Sequence, residues 1–402
     1  MDVLTSAEAA VVERARAAPM LAHLEPWVAV NSGTRNLAGL ARMAQLLADA
    51  FSVLPGGIAL IKPDPVEAIS ASGRLQPIEH GRHLLLTVRP QAPIQLLFAG
   101  HMDTVYPADH PFQKMRVRED GALNGPGAAD MKGGLAVMLA ALEAIENSGF
   151  AGRLGYQVVI NSDEETGSLS SAPLIARAAR GKAAAFVYEP SLADGTLAGA
   201  RGGTGNFSLA VTGRSAHAGR NPEEGRNALV AAAELALRLA DAAGDGLTVN
   251  PARIDGGSPN NVVPEHAVLR VNFRPASLDA AARAQAALDS AATEVAAGHD
   301  VRVECHGSFN RPPKPIDAAA ERLFGLVRDA GQSLGLSVGW RDTGGVCDGN
   351  NIAACGVPVI DTMGVRGGAI HSPEEYMLPD SLAERAALSA LSILRLVERG
   401  SA

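Results

Sequence analysis

The sequence predicts an α/β fold in which a mostly parallel sheet is interrupted by a small inserted domain of βαββαβ order. At 402 residues the chain exceeds the size at which one hydrophobic core keeps growing, so two domains are expected. Strand-like and helix-like runs alternate through the first half, which is typical of a parallel sheet covered by helices. That alternation changes at about residue 201 and resumes later, which indicates an insertion.

The first half of the chain supplies most of the predicted sheet. Residues 1–50 read as two helices, one ending near residue 21 and one over 36–51, separated by a polar break at 31–34. The other predicted elements are strands at 58–61, 83–88, 94–99, 154–161 and 183–188 and helices at 132–147 and 172–179. The run at 94–99 is apolar enough to be a central buried strand.

A different order of elements begins after about residue 203. Strands are predicted at 207–211, 248–254, 267–273 and 301–305, and helices at 227–240 and 278–297. This order is that of a ferredoxin-like domain. The α/β alternation then resumes with helices at 318–334, 349–354 and 382–397 and strands near 338 and at 357–362. We therefore predict a larger domain formed by residues 1–203 and 313–402, with an inserted domain at 204–312.

Composition excludes several classes of partner. The formal net charge is −8, from 35 basic and 43 acidic residues, and there is no block of Lys or Arg, so neither nucleic acid nor an anionic membrane is an expected partner. The beginning of the sequence lacks the pattern of a signal peptide, so a cytoplasmic location is expected. Three cysteines without Cys-x2-4-Cys spacing predict neither a disulfide framework nor a thiolate zinc site.

Acidic residues and histidines follow the ends of the predicted strands. The carboxyl edge of an open α/β sheet is where ligands bind. Any one such residue is usually an ordinary polar residue of a surface loop, but their repetition favours a metal centre with nitrogen and oxygen ligands. Five ligands can serve two ions only if one carboxylate bridges them. The candidates are His101, Asp103, Asp130, Glu164, Glu165, Glu189 and His371.

Five short segments carry a family resemblance. They are His101-Met-Asp-Thr-Val, Gly127-Ala-Ala-Asp-Met-Lys-Gly-Gly, Asp163-Glu-Glu-Thr-Gly-Ser, Tyr188-Glu-Pro and Ser215-Ala-His-Ala-Gly. Together they resemble the co-catalytic dizinc metallopeptidases, the family of glutamate carboxypeptidase (carboxypeptidase G type), acetylornithine deacetylase, succinyl-diaminopimelate desuccinylase and aminoacylase. The resemblance covers nearly the whole chain from about residue 31 and is closest to glutamate carboxypeptidase.

The resemblance implies two zinc ions per subunit, with Co2+ or Mn2+ as substitutes. His101, Asp130 and Glu189 would hold one ion. Asp130, Glu165 and His371 would hold the other, with Asp130 as the bridge. Such paired ions lie roughly 3.5 to 4 Å apart.

Two further residues would complete the chemistry. Asp103 would accept the remaining N–H of the His101 imidazole and fix its tautomer. Glu164 would be the general base, which takes a proton from the attacking water and returns it to the leaving amine. Because successive side chains at a strand end point to different faces, Glu164 and Glu165 could divide these two roles.

The inserted domain would act as a lid and as the contact surface of a homodimer. The resemblance makes His217 the group that reaches the partner subunit's active site and stabilises an oxyanion. Asn261, Arg274 and Arg311 match positions that contact a free carboxylate of the substrate. Gly345 lies in a late loop, residues 342–351, that should line the substrate pocket. This loop departs from the family pattern at residue 347 and at residues 350–351.

Three functions are compatible with these residues. The leading one is a dizinc amidohydrolase that cleaves the amide bond to a C-terminal amino acid with a free carboxylate, in a small peptide or an N-acyl amino acid. The second is an N-acyl-amino-acid deacylase or desuccinylase with the same metal site. The third is a non-catalytic binding protein that retains the fold, and the presence of Glu164 argues against it.

Overall fold

A computed structural model describes residues 4–400, and the part of the first predicted helix before residue 4 lies outside it. The helices are Ser6–Ala17, Met20–Val28, Leu37–Phe51, Gly133–Glu146, Ala172–Ala179, Ala228–Asp241, Leu278–His299, Ala318–Ser333, Asp348–Ala353 and Asp380–Arg399. Within these residues, every helix falls short of the length and apolarity that crossing a membrane requires.

The main sheet is mostly parallel, as predicted. Its strands, in spatial order, are Gly57–Ile61, His83–Val88, Leu154–Asn161, Ile94–His101, Ala184–Val187 and Val359–Ile360. The first two pairings are antiparallel and the other three are parallel. Ile94–His101 lies inside the sheet and is buried along almost its whole length. It extends to His101 itself, which places this residue at the carboxyl edge.

Helices cover both faces of this sheet. On one face, Gly133–Glu146 is buried on nearly every side, because it lies between the sheet and the helices Ser6–Ala17 and Asp380–Arg399. On the other face, Ala172–Ala179 and Asp348–Ala353 pack against the sheet around their own apolar cluster. This three-layer arrangement buries the sheet on both faces.

The middle of the chain forms a second sheet with the predicted βαββαβ order. In spatial order its strands are Leu247–Gly256, His266–Pro275, Thr204–Thr212 and Arg302–Arg311, and all the pairings are antiparallel. Alternate side chains of the strands, including Leu209, Leu269 and Phe273, pack beneath the helices Ala228–Asp241 and Leu278–His299. This region therefore has its own hydrophobic core.

Smaller elements differ from the prediction. The first predicted helix is divided into two, because Pro19 lacks an N–H and restricts the residue before it. The strand expected near residue 338 is Trp340–Thr343, and it pairs with Leu197–Arg201 outside the main sheet. A hairpin of Val66–Ile69 and Leu75–Ile78 was not predicted.

A third, small sheet lies beside the carboxyl edge of the main sheet. Its strands are Ser191–Leu192, Arg366–Gly368, Tyr376–Met377, Leu123–Asn124 and Arg116–Val117. The pairing of Tyr376–Met377 with Leu123–Asn124 brings the segment before Asp130 next to the segment after His371. These two candidate ligands, far apart in sequence, thus come from neighbouring loops.

Candidate active site

Parallel strand ends deliver three of the candidate ligands to one edge. His101 is the last residue of its strand and lies opposite Asn161, where the neighbouring strand ends four residues before Glu165. The strand Ala184–Val187 ends two residues before Glu189. Because the carboxyl ends of parallel strands meet at the same edge, side chains close to these ends converge.

Asp130 and His371 reach the same place from loops. Asp130 lies in a tight, kinked turn, Ala128–Lys132, in which the backbone of Asp130 and Met131 is non-helical, and this turn leads directly into the buried helix Gly133–Glu146. The turn begins after Gly127, whose φ of +73° suits glycine. A Cβ atom at Gly127 would lie 2.8 Å from the side chain of Thr104, so the turn also needs a residue without a side chain there.

The five candidate metal ligands form one contiguous cluster. His101 Nε2 lies 3.1 Å from Asp130 Oδ1 and 3.7 Å from Glu189 Oε2. His371 Nε2 lies 3.3 Å from Asp130 Oδ2 and 3.2 Å from Glu165 Oε2. The two carboxylate oxygens of Asp130 therefore face different histidines, which is the geometry that a bridging ligand requires.

The donor set fits divalent metal ions. It contains imidazole nitrogens and carboxylate oxygens, and donor atoms of His101, Asp130 and Glu165 lie within 4.8 Å of one another. Burial raises the pKa of Glu165, and the charge of Asp130 adds to this effect. Burial also raises the pKa of Glu189. Carboxylates crowded in this way are ionised at lower cost when cations lie between them.

Glu164 lies beside the ligands but has a different partner. A donor atom of Glu164 also falls within 4.8 Å of His101 and Glu189 donors, so proximity alone would allow it to be a ligand. Its Oε1, however, lies 2.8 Å from Nη2 of Arg311. Burial raises the pKa of Glu164, and the positive charge of Arg311 opposes that rise. This pairing gives Glu164 a contact different from those of the candidate ligands Glu165 and Glu189.

The side chains of Glu164 and Glu165 point in different directions, but strand alternation, the expected reason, is not the cause. The strand ends at Asn161, and both glutamates lie in the single 3₁₀ turn Glu164–Thr166. Successive side chains in such a turn are about a third of a revolution apart. The two carboxylates therefore diverge because of the turn and not because of strand alternation.

Asp103 has more partners than the sequence indicated. His101 Nδ1 lies 3.0 Å from the backbone carbonyl oxygen of Asp103 and 3.4 Å from its carboxylate. The buried carboxylate also accepts hydrogen bonds from the backbone N–H groups of Glu164 and Glu165, both at 3.2 Å, and from the Thr34 hydroxyl at 2.7 Å. Asp103 thus fixes the turn that carries both glutamates.

A cavity of about 900 Å³ opens over this cluster. Arg274, Arg311, Arg341 and Gly345 are among the residues that line it. Arg274 and Arg341 are exposed, whereas Arg311 is almost fully buried.

The comparisons with known proteins agree with this geometry. The family described as Peptidase family M20/M25/M40 matches residues 97–395. This chain belongs to that family. It is 32% identical over 329 residues to carboxypeptidase G2 of Pseudomonas sp. (strain RS-16), which covers 79% of this chain and 77% of that protein. The family resemblance drawn from the sequence is confirmed, and the chain is a hydrolase of a metal-dependent family.

Two further similarities extend the comparison. The chain is 28% identical over 304 residues to succinyl-diaminopimelate desuccinylase of Verminephrobacter eiseniae (strain EF01-2), covering 70% of this chain and 74% of that protein. The crystal structure of a tripeptidase (SAV1512) from Staphylococcus aureus superposes with a TM-score of 0.70 at 24% identity, covering 96% of this chain and 99% of the other. The similar structure confirms the mixed α/β fold.

In this M20 hydrolase, Arg311 lines the cavity but is buried against the Glu164 turn. Its Nη2 donates to the Glu164 backbone carbonyl at 2.8 Å and lies 2.9 Å from the Ser168 hydroxyl, in addition to the pair with the Glu164 carboxylate. All three contacts are made by Nη2, which directs this nitrogen to Glu164 and its turn. Of the three residues expected to contact that group, Arg274 is the one that is both exposed and in the cavity lining.

His217 and Asn261 lie apart from the metal cluster. Both are exposed in the inserted region, and neither belongs to the lining of the cavity within residues 4–400. They neighbour each other, because the Asn261 carbonyl oxygen accepts a hydrogen bond of 3.0 Å from the N–H of Ala218. The fold therefore does not bring them to the metal-binding side of their own chain.

A buried ion cluster beneath the substrate loop was not predicted from the sequence. Asp361 accepts from Arg201 Nε at 2.9 Å and from Lys314 Nζ at 3.2 Å. Arg201 and Lys314 lie on the two segments that connect the inserted region to the rest, and Arg201 Nη1 also donates to the Gly345 carbonyl at 3.0 Å. In the sequence, the only sign of this cluster is a basic residue in each connecting segment. Their shared partner, Asp361, could not be identified because it lies far away along the chain.

Asn350 explains part of the departure from the family pattern. Its buried amide donates to the carbonyl oxygens of Gly202 and Pro312, at 2.9 and 2.8 Å. Its Oδ1 accepts from the N–H of Cys347 at 3.1 Å. This side chain therefore joins both connecting segments to the loop that lines the cavity.

Proposed function

We propose that this chain is a dizinc amidohydrolase that cleaves the amide bond to a C-terminal amino acid with a free carboxylate. The observation that carries the proposal is the placement of Asp130 between His101 and His371, with one carboxylate oxygen towards each. A hydrolytic centre with paired ions needs such a bridge.

The ligand sets follow from this bridge. His101, Asp130 and Glu189 would hold one zinc ion, while Asp130, Glu165 and His371 would hold the other. When bound, the ions supply Lewis-acid activation of the attacking water and of the scissile carbonyl.

Glu164 performs the proton transfers. Its carboxylate accepts a proton from the attacking water and delivers it to the nitrogen of the leaving amine. Arg311 and Asp103 keep this carboxylate in place, since one pairs with the side chain and the other binds the backbone N–H. Accurate placement matters because proton transfer requires hydrogen-bond distance.

Preference for a free carboxylate would come from the exposed side of the cavity. Arg274 presents a guanidinium there, and such a group can bind a carboxylate through two parallel hydrogen bonds. A relative at 32% identity, carboxypeptidase G2, is a carboxypeptidase by name. The loop containing Gly345 would shape the pocket around the substrate.

A homodimer would complete the site with His217 and Asn261 of the partner chain. Both residues are exposed and outside the cavity of their own chain, which is where residues that act on a second subunit would lie. The helix Ala228–Asp241 exposes Leu229, Val230 and Leu237, an apolar surface suited to burial against a second copy.

Hydrolysis of a substrate panel tests the proposal. Zinc-loaded protein is incubated with dipeptides, N-acyl amino acids, N-succinyl amines and the C-terminal amides of the same compounds, and Glu164→Gln protein serves as the control. Turnover of dipeptides and acyl amino acids with a free C-terminal carboxylate, and slow turnover of their amides, is expected. Preference for N-succinyl amines would favour the desuccinylase activity of the 28% identical relative. No turnover of any compound would contradict both enzymatic functions.

A further inference from the structure

The loop that carries His371 also carries a buried glutamate with no role so far. Glu375 lies four residues after His371 and is 1% exposed, whereas its neighbour Glu374 is exposed. In the sequence, Ser-Pro-Glu-Glu reads as an ordinary surface turn. A buried carboxylate requires hydrogen-bond donors that compensate for the lost water.

Those donors come from the loop that carries Asp130. Glu375 Oε1 accepts from the N–H groups of Ala129 and Asp130, both at 3.0 Å. Glu375 Oε2 accepts from the N–H of Gly127 at 3.1 Å and from the Tyr106 hydroxyl at 2.9 Å. One carboxylate thus accepts hydrogen bonds from three backbone N–H groups, those of Gly127, Ala129 and Asp130, in the turn that positions Asp130.

The effect is to connect two ligand-bearing loops. Asp130 and His371 are separated by 241 positions, and the small sheet brings their loops side by side. The Glu375 carboxylate fixes the Asp130 turn relative to the segment that follows His371. Without it, Asp130 would keep its place at the start of the helix Gly133–Glu146, but its distance to His371 would be less strictly determined.

We propose that Glu375 is a positioning residue for the second metal ion, the one that Asp130, Glu165 and His371 would hold. The inference rests on the ligand sets of the proposed function. Residues that hydrogen-bond to ligand-bearing groups, without touching the metal, affect metal affinity by about 10- to 100-fold. The first ion should depend less on Glu375, because His101 and Glu189 come from the ends of buried strands.

Glu375→Gln is a demanding test of these contacts. Every donor that faces the carboxylate is an N–H or O–H group, and both oxygens are used. Whichever way the amide is turned, its NH2 group replaces an acceptor and meets another donor. The substitution therefore disrupts the connection with almost no change in volume.

Zinc release from the loaded full-length protein measures the effect. Each variant is titrated with a chelator, and the ions released are counted against chelator concentration. Wild type is expected to lose two ions in two steps. In Glu375→Gln, the ion that Asp130, Glu165 and His371 would hold should leave at about 10- to 100-fold lower chelator concentration than in wild type. The release of the other ion should shift less. Tyr106→Phe, which removes one donor, should give a smaller shift in the same direction.

Glu374→Gln is the matched control, and it should release zinc like the wild type. Thermal unfolding of all variants after complete zinc removal shows whether the fold itself has changed. Equal shifts for both ions together with a lowered midpoint of unfolding would mean a purely structural role and would overturn the inference. An unchanged release curve for Glu375→Gln would do the same. Fewer than two ions in wild type would overturn the proposed function, and the second-ion role with it.

Discussion

The two sides of the active-site cavity are built differently. On the metal side, His101, Glu165 and Glu189 follow neighbouring strands of one buried sheet, and their side chains are already in mutual contact or close to it. On the inserted side, His217 and Asn261 are exposed and lie outside the cavity of their own chain. The metal side is assembled within a single chain, whereas His217 and Asn261 would take part only if a second chain brought them to the site.

We infer from this difference that the metal side carries out the chemistry and that the inserted side contributes to substrate recognition. Strands held between two helical layers bring ligands together with little freedom, so the metal side is preorganised before any substrate arrives. The inserted region has its own core and is joined to the rest by two connecting segments at Arg201 and Lys314. We therefore expect substitutions on the metal side to affect every substrate, and substitutions on the inserted side to depend on the partner subunit or on the substrate's carboxylate.

The largest effect is expected for Glu164→Gln. Because the amide cannot accept the proton of the attacking water, kcat should fall by about 10²- to 10⁴-fold on all substrates, while zinc content stays close to that of wild type. Steady-state kinetics and elemental analysis of the same preparation measure the two quantities. A variant that retains more than about a tenth of the wild-type rate would remove Glu164 from the role of base.

The sequence predicted the metal side because its signals are local. An apolar run ending at His101 and acidic residues just after two other strand ends are visible within a few positions of each strand. The partner of each buried charge is not local. Arg311 binds Glu164 over a separation of 147 residues, and Glu375 binds the N–H of Asp130 over 245 residues. No pattern near Arg311 or Glu375 indicates these contacts, so the pairing of Arg311 with Glu164 and the contacts of Glu375 were not predicted.

Arg311→Ala should lower kcat/KM on acid and amide substrates alike, as expected for a substitution on the metal side. It leaves the buried Glu164 carboxylate without its cation, and removal of one partner from a buried ion pair costs about 3–5 kcal/mol in the free energy of unfolding. Arg311→Lys keeps the charge and should recover part of this stability. Denaturant unfolding measures the stability, and kcat/KM on an acid and its amide measures the substrate dependence. A loss confined to the acid would instead support the carboxylate-binding role that the family resemblance implies for Arg311.

Mixed dimers test whether the inserted side is completed by the partner. His217→Ala and Glu164→Gln subunits should each be nearly inactive alone. After dissociation and reassociation of an equal mixture, half of the dimers should be mixed, and each should contain one site with an intact base and an intact histidine. About a quarter of the wild-type activity is therefore expected. A monomer in sedimentation, or a mixture as inactive as its components, would show that His217 does not act across a subunit contact.

The smallest effect, and the most selective, is expected for Arg274→Ala. Arg274 is exposed in the cavity, and its Nε donates to Asn272 Oδ1 at 2.9 Å, so the outer nitrogens of its guanidinium can meet a ligand. A charge-assisted bidentate pair contributes roughly 1.5 to 3 kcal/mol, or about 10- to 100-fold in binding. Substrates with a free C-terminal carboxylate should lose that factor in kcat/KM.

The C-terminal amides of the same substrates should be largely spared by Arg274→Ala, because they cannot form the charged pair. Arg283→Ala is a suitable control, since Arg283 is also an exposed arginine of the inserted region but lies outside the cavity lining. It should leave acid and amide kinetics unchanged. Equal losses on acid and amide in Arg274→Ala would place Arg274 with the residues that support the fold. The free-carboxylate preference would then have to come from the partner chain, and the mixed dimers would become its decisive test.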